Sequence, residues 1–231
     1  MNDYGSLLQQ ISVFALPAIF AITLHEAAHG FVAWRLGDDT AKRLGRVTFN
    51  PLKHIDPFGT VIMPLLLFLV SRGQFLFGYA KPVPVNFGRL RHPRIDMVWV
   101  ALAGPGINIL MAVTAALLFY ALPIVPAVAK VWAALNLRNA VMFNVVLAVL
   151  NMIPLPPLDG GRVAVGLLPD ALAFPLAKLE RYGILIVVGL LFVLPWVGRD
   201  ILGVDLDIVS TVIFWPADMI VQGIAWITGQ S

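Results

Sequence analysis

The chain has 231 residues, of which 59% are hydrophobic and only 13% charged, about half the charged share of an ordinary soluble domain. So little polar surface excludes a water-soluble globule, and the absence of cysteine excludes disulfides, thiolate metal sites and thiol nucleophiles. The formal net charge of +3 comes from Lys and Arg spread along loops between apolar runs. No basic face studded with aromatics forms, so nucleic acid is excluded as a partner and the lipid bilayer is the expected surrounding.

Five apolar runs, about 7–35, 97–121, 131–153, 182–197 and 208–227, approach the roughly 20 residues that a helix needs to cross a bilayer. The first begins after Met1-Asn2-Asp3-Tyr4, which lacks the positive n-region of a cleaved signal peptide, so this run is expected to remain in the mature protein. Within it stands Leu24-His25-Glu26-Ala27-Ala28-His29-Gly30. Histidines four apart lie on one helical face, where both imidazoles reach one ion with Glu26 beside it, the zinc-peptidase arrangement. An ionisable group at mid-membrane costs roughly 2.5–3.5 kcal/mol, so three of them in an apolar run mark a working site.

Between the first and second crossings, residues 43–49 and 75–86 alternate, carry β-branched and aromatic residues, and are punctuated by Gly and Pro. They predict a small β-hairpin or sheet with Pro82 and Pro84 at an edge. The run 58–70 is too short to cross as a helix, and is expected to enter the membrane and return. Charge supports that path: loops 35–57, 71–96 and 162–181 then share one side with five, five and three Lys/Arg, against Lys130 and Arg199 opposite. This positive side is expected to be cytoplasmic, with the N-terminus outside and the site nearer the cytoplasm. The whole, 1–231, is expected to be a single all-α polytopic membrane domain, with a motif core over about 7–165 and C-terminal helices over 182–227.

A catalytic zinc takes three protein ligands and one open position. Without cysteine, the third is His54, His92, or an acid such as Asp159, which ends Asn151-Met152-Ile153-Pro154-Leu155-Pro156-Pro157-Leu158-Asp159-Gly160-Gly161. Prolines end a helix there and glycines permit close backbone approach. Asn144, two turns before Asn151, is expected to form an interhelical hydrogen bond.

Three separated motifs together resemble the site-2 proteases, which carry out regulated intramembrane proteolysis: His25 to His29, Ala103-Gly104-Pro105-Gly106-Ile107-Asn108, and Asn151 to Gly161. The resemblance implies one zinc ion per chain held by His25, His29 and Asp159, Glu26 as catalytic base, and Asn108 and Asn151 near the scissile peptide. It implies as substrates transmembrane proteins, single-pass or signal-peptide remnants, cut within a multi-pass enzyme of the cell membrane, and β-structure after the first motif helix that contacts them. The PDZ and CBS domains of some members are not recognisable in these residues. A catalytically silent scaffold would be expected to have lost Glu26 or a ligand, and a transporter would be expected to show paired inverted repeats; neither sign is found.

Overall fold

The computed structural model describes residues 3–54, 56–62, 66, 81–204 and 208–230. Helix α1, Asp3–Arg35, is apolar along its length, and its window Gln9–Arg35 is long and apolar enough to cross a membrane. It ends where Gly37 takes φ 118°, a conformation a side chain would resist, while Asp38 N–H donates back to Ala33 O at 2.9 Å. A single turn, α2 (Thr40–Arg43), follows.

Helix α3, Pro93–Leu118, starts with Pro at its first position, where no N–H is needed. Asp96 in its first turn accepts from His92 N–H at 2.8 Å. After a 3-10 stretch, Phe119–Ile124, helix α4 (Ala127–Asn151) returns antiparallel to α3. Short helices α5 (Asp159–Leu167) and α6 (Asp170–Lys178) come next. From Gly183 to Leu202 the chain is helical with α and π turns alternating, containing α7 (Gly183–Val188) and α8 (Leu194–Val197). A π turn, Ser210–Phe214, leads into α9, Trp215–Ile227.

Small residues let the helices approach closely, and polar side chains tie them, as bilayer packing demands. Trp132 Nε1 donates to Ser12 Oγ at 2.8 Å and Asn139 Nδ2 to Val13 O at 2.7 Å, so α4 runs beside α1. Helix α9 closes on α3 and α4 through Ala112, Ala116, Val145, Ala217 and Ile224. The burial pattern is inverted relative to a soluble protein. His25, His29, Asn108, Asn144 and Asp159 are buried, whereas Phe14, Trp99, Leu110 and Val131 are each more than half exposed. Bare in water, such a surface would aggregate; in lipid it is the proper solvent face. The protein is a helical membrane protein.

Two expectations need correction. Among the described residues four helices meet the length and hydropathy of a crossing, Gln9–Arg35, Pro93–Ile124, Ala127–Asn151 and Ser210–Ile227, against the five expected; the run 182–197 falls in the alternating α and π stretch. No strand occurs among the described residues, so the β-hairpin or sheet is overturned. Residues 43–49 are the end of α2, a turn at Gly45 (φ 65°) and bends. Residues 81–86 have no regular secondary structure, and their donors go elsewhere: Lys81 N–H to His54 O, Val83 N–H to Glu26 and Asn86 N–H to Asp38. With Pro82 and Pro84 lacking N–H, too few donors remain for a ladder. Residues 75–80, and most of the 58–70 run expected to re-enter the membrane, lie outside the described residues. At the end of α1, Arg91 N–H donates to Leu36 O at 3.1 Å, which places the residues just before α3 beside the end of α1.

Candidate metal centre

Helical spacing puts His25 and His29 on one face of α1, with rings perpendicular and centroids 4.7 Å apart. Across from them α3 presents Gly104. A Cβ there would lie 2.5 Å from His25 Cε1 and from His29 Nε2, so only glycine leaves room for the two rings. Asp159 arrives from beyond α4. The backbone of Met152 and Ile153 lies so close to Gly160, and that of Leu155 and Pro156 so close to Gly161, that a Cβ on either would sit 2.2 and 2.1 Å from a backbone atom. This tight return delivers Asp159 at the first turn of α5 to the histidines.

The three ligand atoms form a triangle. His25 Nε2 and His29 Nε2 are 3.1 Å apart, and Asp159 Oδ2 lies 3.1 Å from the first and 3.3 Å from the second. Bonds of about 2.0–2.1 Å to a tetrahedral zinc require donors roughly 3.3 Å apart. All three residues are buried.

Hydrogen bonds behind the rings fix which nitrogen of each neutral imidazole carries its proton. Asn108, fully buried, donates Nδ2–H to Ala21 O at 3.2 Å and to Asn144 Oδ1 at 2.7 Å, which fixes its amide orientation. Its Oδ1 therefore accepts from His25 Nδ1–H at 2.5 Å. His29 Nδ1–H likewise donates to the Val100 carbonyl at 2.7 Å. As neutral rings, both then turn their Nε2 lone pairs toward each other and toward the Asp159 carboxylate, whose Oδ2 is buried without a hydrogen-bond partner. Three lone pairs facing inward in a low-dielectric site repel unless a cation sits among them. The donor set fits a divalent metal, zinc in particular.

The other sequence candidates lie apart. His54 is buried with Nε2 on Thr48 O at 3.2 Å, and His92 is exposed just before α3, its side chain making no capping bond; among the described residues only His25, His29 and Asp159 gather as a metal-binding group. Glu26 stands one residue from the cluster, its Oε2 accepting from Val83 N–H at 2.7 Å. Asn151 is half-buried at the end of α4 and donates Nδ2–H to Leu147 O at 2.9 Å. Asn144 makes the interhelical bond expected of it. Sequence reasoning passed over Gly104 as a space-maker and over Asp38, Arg46 and Val83. The signal for Gly104 was present in Ala103-Gly104-Pro105-Gly106; for the others there was none, since their partners are set by the tertiary fold.

A curated protein of Bacillus subtilis named "Putative zinc metalloprotease YwhC" is 36% identical over 200 residues, covering 81% of this chain and 83% of that one. This chain belongs to the site-2 protease family. A second relative, "Putative zinc metalloprotease Rip2" of Mycolicibacterium smegmatis, is 34% identical over 189 residues, covering 80% of this chain and 69% of its own. No family model matches the chain, and no solved structure does. Membership places this site-2 protease homologue among the zinc metalloproteases, hydrolases of peptide bonds.

Gly104→Ala tests the cradle directly. Alanine is the better helix former, so α3 should persist in circular dichroism, while the added methyl pushes the imidazoles apart. Most bound zinc should be lost on metal analysis; full zinc in this variant would mean that the rings can yield without opening the site.

Proposed function

We propose that this site-2 protease homologue is an intramembrane endopeptidase that hydrolyses peptide bonds within or near transmembrane segments, with one zinc ion held by His25, His29 and Asp159. The observation carrying this reading is the buried triangle of ligand atoms set on a helix long enough to span the bilayer. When bound, the zinc would supply Lewis acidity, lowering the pKa of a water and polarising the scissile carbonyl. Asn108 orients His25, and the Val100 carbonyl orients His29, so that each keeps its Nε2 lone pair on the metal side. Glu26 is the general base: it takes the proton of the attacking water and passes it to the leaving amine. The side-chain oxygen of Asn151 is left to meet the substrate backbone, whereas the amide of Asn108 is already committed to its neighbours.

A peptide inside a membrane helix has its amides tied internally, so the substrate unwinds locally before it reaches a site this narrow. That favours single-pass proteins or signal-peptide remnants with helix-breaking residues. The positive loops and the meeting of Leu36 with Arg91 support a cytoplasmic side for residues 36–54 and 81–92, with the N-terminus outside the cell membrane.

Purified protein in liposomes should cleave a single-pass reporter, stop on chelation and recover with zinc. Cleavage that survives a strong chelator would remove the metal mechanism. In the same cysteine-free background, Cys at the exposed positions Lys53 and Arg91 should be labelled from the cytoplasmic side, and Cys at Val128, 92% exposed, from outside. The reverse pattern would invert the orientation.

A further inference from the structure

Residues 81–86 form a strap without regular secondary structure, held by polar contacts along its length. At its start the Arg46 guanidinium donates Nη2–H to Lys81 O at 2.8 Å and to Pro82 O at 3.3 Å, and Nη1–H to Lys53 O. At its end Asp38 Oδ2 accepts from Asn86 N–H at 2.6 Å, while Asp38 Oδ1 accepts from Thr40 N–H at 3.1 Å. Between the anchors, Val83 N–H reaches Glu26 Oε2 at 2.7 Å. The Val83 side chain fills the space over Gly30, where an added Cβ would meet Val83 Cγ1 at 3.0 Å and Val47 Cγ2 at 3.1 Å.

The anchors are costly, which argues that they do more than close a loop. Arg46 is 9% exposed and Asp38 fully buried, and among the described residues no carboxylate pairs with Arg46. A charge withdrawn from water and answered only by carbonyls is expensive. Burial also disfavours ionised Asp38, yet the Thr40 hydroxyl, the Asn86 and Thr40 N–H groups and the nearby Arg89 hold its carboxyl below the ordinary range, so it stays an acceptor. Asp38 lies three residues past the end of α1 and is tied back to it by its N–H on Ala33 O, and Glu26 lies on α1. The strap is thus registered at two points against the helix that carries His25 and His29.

We propose that Asp38 and Arg46 are positioning residues that act through the strap: they hold Val83 N–H on one oxygen of Glu26, which turns the other oxygen toward the site. This rests on Glu26 being the base. A carboxylate on three rotatable bonds otherwise samples several rotamers, and a charge-assisted hydrogen bond selects one.

The test uses the full chain in liposomes with a single-pass reporter. Val83→Pro deletes the N–H in a strap that already carries two prolines, with a side chain of similar size. Its kcat should fall tenfold or more, with KM within about twofold and zinc content that of the unaltered protein. Val83→Ala, which keeps the N–H, should lose much less. Asp38→Asn leaves one N–H facing an amide NH2 in either orientation and should lower kcat alone. The double variant Val83→Pro/Asp38→Asn should be no slower than Val83→Pro, because both changes act through one bond. Unchanged kcat in Val83→Pro, equal losses in Val83→Pro and Val83→Ala, or additive losses in the double variant would overturn the assignment. Should Val83→Pro lose zinc, Asp38→Asn decides by the same split: reduced kcat with KM and zinc retained upholds it, unchanged kcat overturns it. If Glu26→Gln is itself active, the base reading fails; if Glu26→Gln is silent and Val83→Pro is unaffected, only the positioning role fails.

Discussion

Glu26→Gln should reduce cleavage by at least about 10²–10⁴-fold, the range of a lost general base, while zinc stays near one per chain. Glutamine keeps the shape of the side chain, and its carbonyl oxygen can still accept from Val83 N–H. What it cannot do is take a proton from water. Metal should be retained because Glu26 stands outside the group formed by His25, His29 and Asp159. The measurement pairs turnover of a transmembrane reporter with metal analysis of the same preparation. Full activity with full zinc would end the proposed mechanism, and loss of zinc would make Glu26 a ligand.

Asp159→Ala should weaken zinc binding by more than the roughly 10–100-fold that loss of a mere ligand-orienting partner costs, and activity should go with it. Its Oδ2 is the third corner of the triangle, 3.1 and 3.3 Å from the two Nε2 atoms, and two imidazoles alone leave a catalytic zinc a protein ligand short. His54→Ala and His92→Ala should keep their zinc: the first ring bonds the Thr48 carbonyl, and the second is exposed at the start of α3, outside the ligand group. Competition with a chromogenic chelator reads all three. A His variant that loses metal while Asp159→Ala keeps it would move the third ligand.

Local features of the site were legible because they depend only on helical periodicity. His25 and His29 share a face whatever α1 packs against, and the cost of placing them in an apolar run is enough to mark a site. The glycines after Asp159 likewise announced a close approach, realised against residues 152–156. Alternation and prolines misled over 43–49 and 81–86, since a strand is defined by who answers its N–H groups. Over 43–46 nearby turn carbonyls answer them; over 81–86 two carboxylates and a loop carbonyl do, and Glu26 and Asp38 lie 57 and 48 positions away.

The sequence alone determined that this chain lives in a membrane, that its first helix carries a metal-binding pair with an acid beside it, and which family its three motifs resemble. These rest on composition, on a 3.6-residue period and on motif order, all of which are local or additive along the chain. Only the tertiary structure decided that Asp159 closes the ligand triangle across 130 positions from His29, that Asn108 serves His25, and that a strap bonded to Glu26 replaces the expected sheet. Each of those depends on which helix lies against which. In a buried site the partner of a polar group is chosen by packing at a distance, which no window along the sequence contains.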